Sequence, residues 1–165
     1  GDSQPPAPSY FAAARPRALT PNQYGSALIF AATDPENFKP NLKLEELRKR
    51  IAKHEQTGDG WGRQFQRPGE YFQVSVGEAL YFSNNDRVQK ELLGTGGKLV
   101  GHIMKLKDRP AQLEAAWLNT LSRLPTTEET KAISKYLDAR KDNPQGAWQQ
   151  VIWSLMTCAE MRFNH

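Results

Sequence analysis

The chain has 165 residues, of which 38% are hydrophobic and 24% are charged, and its 22 basic and 18 acidic side chains give a formal net charge of +4 at pH 7. A chain of this length can form one domain that buries most of its unfolded surface, and its single cysteine excludes an intrachain disulfide. No apolar run reaches the roughly 18 residues that a membrane-spanning helix requires, so the sequence predicts no transmembrane segment. No signal peptide is recognisable either.

Proline, alanine and serine dominate residues 1–14, which predicts a flexible leader ahead of a single helical domain over residues 15–165. The first helix start lies at Thr20, which is followed by a proline and then by Gln23. A threonine at the cap with a glutamine three residues later forms a capping box, in which each side chain bonds the other residue's backbone amide. This helix is predicted to end near Ala32, because a turn sequence follows.

A charged amphipathic helix is predicted next, from Asn41 or Leu42 to Thr57. Leu44, Leu47 and Ile51 recur at steps of three and four along it, so they are expected to face the core. The glycine that follows, Gly58, is expected to end the helix as its C-cap.

Four glycines and one proline in residues 58–70 predict a long irregular loop. Two large apolar side chains, Trp61 and Phe65, lie in it beside two arginines, Arg63 and Arg67. The favoured interpretation is that the aromatic side chains pin the loop to the core. The alternative is that these four residues contact a partner, because aromatic residues and arginine are enriched at binding hot spots.

Short helical patterns continue through residues 75–106 and are broken by the glycine-rich run 94–97. This run precedes Lys98 and therefore resembles a phosphate-binding loop. Two required residues are missing, since the first glycine of that motif falls on Leu92 and the hydroxyl residue after the lysine is Leu99. The run instead predicts a turn between two helices.

The last third of the chain opens with a helix whose apolar stripe recurs at steps of three and four. The stripe consists of Leu113, Trp117, Thr120, Leu121 and Leu124. Pro125 is expected to end this helix, because the residue before a proline avoids the α region and proline lacks the amide donor.

Two helices follow, and each has a recognisable start. Thr126 and Glu129 form a second capping box, and Asn143 precedes a proline that suits the first helical position. The buried side of the first helix is predicted to comprise Ile133, Tyr136, Leu137 and the stem of Arg140, and that of the second Trp148, Val151, Ile152, Leu155 and Ala159. Trp117 and Trp148 are expected to anchor the core. The predicted fold is all-α, a single compact bundle of about seven or eight short helices with one long irregular loop.

The sequence contains no pattern that indicates a catalytic, cofactor-binding or metal site. His54, His102 and His165 lie far apart without a partner at ligand spacing, and there is no paired-thiolate or haem-attachment motif. His54 follows the basic run 48–53 and is expected to face solvent. Basic runs can bind the phosphates of nucleic acids, but glutamates at helical spacing pair with these cations, so weak binding without sequence preference is the most that is expected.

Three stretches of the sequence resemble the closing part of a planctomycete-type domain of unknown function, which occurs in large exported proteins together with a cytochrome-c-like domain. They are residues 79–85, residues 117–129 and residues 153–165. Residues 17–28 are similar to the helix with which that family begins the segment. The family has no established reaction, and its haem-binding cysteines belong to a different domain, so the resemblance implies no cofactor for this chain. It implies an exported protein, placed in the periplasm or at the cell surface.

The leading hypothesis is a non-catalytic interaction or scaffold module of an exported multidomain protein, with other domains or proteins as its partners. One alternative is part of an enzyme, for example a polysaccharide-directed hydrolase, whose site is completed by sequence upstream. A second alternative is a weak nucleic-acid binder.

Overall fold

The computed structural model describes residues 17–65 and 85–164 of the chain. The α-helices of this part are α1 (Pro21–Ala32), α2 (Leu44–Gly62), α3 (Leu99–Lys105), α4 (Arg109–Leu121), α5 (Thr127–Asp138), α6 (Pro144–Thr157) and α7 (Ala159–Arg162). A 3-10 helix (Pro35–Phe38) follows α1, and a π-helix (Val88–Leu92) precedes α3. Two short strands, β1 (Arg17–Ala18) and β2 (Phe163–Asn164), pair in an antiparallel manner. The prediction of a compact all-α bundle is confirmed.

Three helices whose starts were predicted from the sequence each begin at a side-chain cap. Thr20 and Gln23 form the predicted capping box at α1, and Thr126 and Glu129 form the one at α5. At α6 the Asn143 side chain accepts a backbone hydrogen bond of 3.0 Å, and a proline occupies the start of the helix. All three predicted starts are confirmed, because a cap depends only on residues within one turn.

Helix α2 does not end at Gly58, as the sequence predicted, but continues to Gly62 because it packs closely on α1. A Cβ atom on Gly58 would lie 2.4 Å from the Cα atom of Ser26, and one on Gly25 would lie 2.2 Å from the Gly58 carbonyl oxygen. The two helices can approach this closely only because these positions carry no side chain. The predicted irregular loop is therefore wrong for its first five residues, which are helical, and its last five lie outside the described part of the chain.

The core lies among α1, α3, α4 and α6, with the end of α2 and the π-helix packed against them, and tryptophans are its largest members. Trp117 on α4 and Trp148 on α6 are each 2% exposed, which confirms them as core anchors. Tyr24 connects α1 to α6, since its hydroxyl donates a 2.8 Å hydrogen bond to the Met156 carbonyl oxygen. Burial raises the pKa of Tyr24 to about 12, because the phenolate would lose its hydration in this environment.

Helix α4 ends at Leu121, four residues before the proline that was expected to end it. Ser122 takes a left-handed conformation with φ of 56° and directs the chain away from the helix axis. Leu124 was predicted to belong to the buried stripe, but it is 59% exposed. A proline limits how far a helix can extend, and it does not require the helix to extend that far.

The first half of α2 is less buried than its apolar stripe predicted. Leu44 is 60% exposed, which contradicts its expected inward position, and Leu47 and Ile51 are only half-buried. His54 was expected to face solvent, but its ring stacks on that of Phe30 at 5.3 Å and its Nδ1 donates to a carbonyl oxygen one turn earlier at 2.7 Å. Leu44 lies on the same face of α2 as His54 and Gly58, but α1 ends at Ala32 and covers that face only from about His54 onward, where the His54 ring meets Thr33.

The glycine-rich run before α3 forms a turn, as predicted, with Gly97 at φ of 64°. This turn is attached to the end of α1, because the Asp34 amide donates a hydrogen bond to the Gly97 carbonyl oxygen at 3.2 Å. The helical pattern predicted for residues 75–84 lies outside the described residues. Of the helices that the structure describes, none combines the length and the apolar composition needed to cross a bilayer.

Candidate functional site

The segment for which packing was the favoured interpretation and partner contact the alternative places its tryptophan in the core. Trp61 is fully buried, and its indole N–H donates a 3.1 Å hydrogen bond to the Glu91 carboxylate on the π-helix. The Arg87 guanidinium lies over the same ring, 4.4 Å from its centre. Trp61 therefore joins α2 to the π-helix.

The other members of this segment divide between the core and the surface. Phe65 is buried, and its ring meets that of Tyr24 edge-on at a centroid distance of 4.8 Å. Arg63 is exposed, and Arg67 lies outside the described residues. The burial of both aromatic rings agrees with the packing interpretation. Partner contact at this segment stays a prediction, and Arg63 is its accessible member.

A groove with a volume of about 590 Å³ lies between the π-helix, α5 and α6, and is called the α5–α6 groove below. The described residues that line it share the absence of charge: Gln89, Leu93, Ile133, Tyr136, Gly146, Gln149, Gln150, Val151, Trp153 and Ser154. The volume falls within the roughly 300–1,000 Å³ of small-molecule sites in proteins. Two aromatic rings, three side-chain amides and a serine hydroxyl give this groove both apolar surface and neutral hydrogen-bonding groups.

Internal hydrogen bonds hold the polar side chains of the α5–α6 groove in place. The Tyr136 hydroxyl donates to Oε1 of Gln150 and so joins α5 to α6. Gln149 donates from Nε2 to the Leu93 carbonyl oxygen at 2.9 Å, and Ser154 donates to a carbonyl oxygen three residues earlier at 2.7 Å. These side chains are therefore positioned before a ligand arrives, which reduces the entropy that binding costs.

Sequence reasoning did not find this groove. Tyr136 was placed on the buried side of its helix, whereas it is half-buried and reaches the groove. Trp153 does not belong to the apolar stripe that begins at Trp148, and it was assigned no role from the pattern. A tryptophan outside the buried stripe of its helix was the available signal.

A charged cluster joins the end of α4 to α5 and α7 through Arg123. Its guanidinium bonds Glu129 at 2.7 and 2.8 Å and Glu160 at 2.7 and 2.9 Å. The hydrogen bonds from Arg123 lower the pKa of Glu129 to about 2. The Trp117 indole N–H contributes to this lowering from nearby, although it lies outside hydrogen-bond geometry. One cation thus pairs with both carboxylates, and the cluster acts as a structural clamp that holds α5 and α7 to the end of α4.

A second polar cluster, at the end of α1, also serves the fold. Asp34 is 7% exposed, and its Oδ1 accepts the Glu36 amide at 3.0 Å and lies 3.2 Å from Nδ1 of His102 on α3. Asp34 therefore caps the 3-10 helix and ties α3 to α1. Within residues 17–65 and 85–164, no three His, Cys, Asp or Glu side chains gather closely enough to hold a metal ion.

A second cavity, of about 430 Å³, lies beside α1, α4 and α7. Its polar lining is largely turned to its own helix, since Asn119 donates to the Ala115 carbonyl oxygen and Thr120 to that of Ala116, each at 2.7 Å. The Glu160 carboxylate at its edge is bonded to Arg123. This cavity offers a ligand fewer neutral polar groups than the α5–α6 groove does.

No protein family model matches this chain, and neither characterised proteins nor solved structures include one that matches it. The function must therefore be argued from the geometry of the described residues.

Proposed function

We propose that this chain is a non-catalytic interaction module of an exported multidomain protein, and that the α5–α6 groove is its recognition surface. The observation that carries the proposal is the neutral lining of that groove, in which Tyr136 and Trp153 accompany three glutamine amides. Largely apolar clefts with a few fixed polar groups are the usual form of a ligand site. Export of the parent protein is proposed because residues 117–129 and 153–165 resemble the planctomycete-type domain that occurs in large exported proteins.

The ionisable clusters of the described residues favour binding over catalysis. A general acid or base needs a pKa near the working pH, whereas Glu129 has its pKa lowered to about 2 by Arg123. Asp34 is engaged by a backbone amide and by His102. None of these groups lines the α5–α6 groove.

The proposal is tested by mapping small probes on the intact chain with NMR. Phenol and acetamide represent the ring and amide contacts that a partner would make. Their chemical-shift changes are expected to concentrate at Gln149, Gln150 and Trp153, and Gln150→Ala is expected to reduce them. The matched control is Gln145→Ala, an exposed glutamine at the start of α6 that does not line the groove. Probes that collect in the second cavity, or at no defined place, would refute the groove as the recognition surface.

A further inference from the structure

We infer that the ligand of the α5–α6 groove is a neutral oligosaccharide. This inference rests on the proposed function, because it names the ligand class of the same groove. Three properties of the lining carry it: the absence of charge, the hydrogen-bonding groups left open by the internal bonds, and the pair of aromatic rings.

The described lining of the groove offers no partner for an ion pair. Charged residues make up 24% of the sequence, yet no described residue that lines the groove is charged. Arg140 contacts the Tyr136 ring at 5.0 Å from its centre but does not itself line the groove. A sulfated, phosphorylated or carboxylated ligand would lose hydration in the groove without gaining a partner of opposite charge. The groove therefore fits an uncharged ligand.

The open hydrogen-bonding groups require a ligand that both donates and accepts. Tyr136 and Ser154 donate their hydroxyl protons to protein oxygens, and Gln149 donates one of its two amide protons. Within the described residues, Oε1 of Gln149 and Oγ of Ser154 remain as acceptors, and the second amide proton of Gln149 and the amide group of Gln150 remain as donors. A hydroxyl group donates and accepts at one atom, so the hydroxyls of a sugar match this set. A polyproline segment has no backbone N–H and would leave the acceptors unpaired.

The aromatic rings supply the apolar part of such a site. Tyr136 comes from α5 and Trp153 from α6, and both line the groove. The face of an aromatic ring is electron-rich and attracts the weakly positive C–H groups that a pyranose presents on its flat side. The rings can thus contact the C–H groups of a sugar, and the amides can bond its hydroxyls.

The experiment titrates the intact chain with cellohexaose, maltohexaose and xylohexaose, with hexagalacturonate as the charged comparison and decaproline as the peptide comparison. Calorimetry gives the affinity, and NMR shows where binding occurs. At least one neutral hexasaccharide is expected to bind and to shift the signals of Gln149, Gln150 and Trp153. Gln150→Ala is expected to weaken this binding by about tenfold or more, through loss of its amide donor and of the acceptor that holds the Tyr136 hydroxyl. Gln145→Ala is expected to bind as the unchanged chain does, and added salt is expected to have little effect.

Three other outcomes would overturn the inference that the ligand is a neutral oligosaccharide. If phenol and acetamide collect in the groove and no neutral hexasaccharide binds, the assignment of a saccharide ligand is wrong, while the proposed recognition surface stands. If hexagalacturonate or decaproline binds there more tightly than every neutral sugar, the ligand is an anion or a peptide. Equal weakening by Gln150→Ala and Gln145→Ala would place sugar binding elsewhere. Thermal unfolding of both variants separates loss of binding from loss of folding.

Discussion

The clamp formed by Arg123 is expected to make a large, pH-dependent contribution to stability. Replacing it by methionine keeps much of the side-chain volume and removes the cation between Glu129 and Glu160. The pKa of Glu129 is lowered from 4.5 to about 2, a difference equivalent to about 3.4 kcal/mol. Because that side chain is 31% exposed, solvent screening reduces the contribution to about 1 to 2 kcal/mol. With the second carboxylate included, Arg123→Met is expected to lower the free energy of unfolding by about 2 to 3 kcal/mol at neutral pH.

The pH dependence of the same variant follows from the direction of the pKa change. The folded pKa of Glu129 lies below its unfolded value, so its contribution is fully present above pH 4.5 and is lost as the pH falls toward 2. In Arg123→Met this loss is expected to be much smaller, because the cation that lowers the pKa is absent. Urea unfolding followed by circular dichroism, at neutral pH and at steps down to pH 2, measures both quantities.

The matched control is Lys141→Met, which removes an exposed cation from a looser ion pair with Asp138 at 3.8 Å. Its cost is expected to be below about 0.5 kcal/mol. If Arg123→Met unfolds at the same urea concentration as the unchanged chain and keeps the same acid profile, the clamp contributes nothing. The assignment of these carboxylates to a structural role would then be wrong.

Three further predictions concern the helix packing and the buried tyrosine. Trp61→Ala is expected to lower the free energy of unfolding by about 3 to 5 kcal/mol, whereas Arg63→Ala changes it by less than about 0.5 kcal/mol; equal urea midpoints would contradict the burial of the ring. Gly58→Ala is expected to cost about 1 to 3 kcal/mol because its Cβ would lie 2.4 Å from a backbone atom of α1. In Gly60→Ala the added Cβ would have no atom within 4 Å, so this variant is expected to stabilise α2 by up to about 1 kcal/mol. Thermal shifts of the same sign in Gly58→Ala and Gly60→Ala would refute the close-packing account. Tyr24 has a folded pKa of about 12 against 10.0 when unfolded. Its contribution to stability is therefore expected to be retained below pH 10, and the free energy of unfolding is expected to fall by up to about 2.7 kcal/mol as the pH rises to 12. An alkaline profile that is unchanged in Tyr24→Phe would contradict this assignment.

The features that the sequence predicted correctly are those fixed by near neighbours. Thr20, Thr126 and Asn143 each start a helix through bonds to residues within the next turn, so their chemistry is readable in a short window. The burial of Trp117 and Trp148 was also readable, because each belongs to a stripe repeated over several turns.

The features that the sequence missed depend on contacts between distant segments. Gly58 suggested a helix end, since glycine costs conformational entropy inside a helix. Its real role is set by α1, more than thirty residues earlier, whose backbone leaves no room for a side chain. The spacing of Gly58 and Gly62, four residues apart on one helix face, was a usable signal of such close packing. The exposure of Leu44 also depends on a distant segment, because α1 ends at Ala32 and does not extend alongside the first turns of α2.

The groove could not be predicted for a related reason. Its lining comes from the π-helix, α5 and α6, and no short window of sequence contains more than part of it. Glutamines on helices are ordinarily surface residues with good helix propensity, so Gln89, Gln149 and Gln150 carried no signal individually. Only the packing of α5 against α6 brings their amides to one place.

The four tryptophans separate the demands of folding from those of binding. Trp61, Trp117 and Trp148 are buried almost completely, and each connects helices of the core. Trp153 is only partly buried and lines the α5–α6 groove, so part of its surface remains exposed. A ligand that covers the groove would remove this surface from water and would at the same time pair the acceptors on Gln149 and Ser154. Gln149 and Ser154 line the same groove, and hydrogen bonds from their side chains to backbone oxygens hold their remaining acceptors in place. This fixed arrangement of neutral acceptors supports the proposed ligand site.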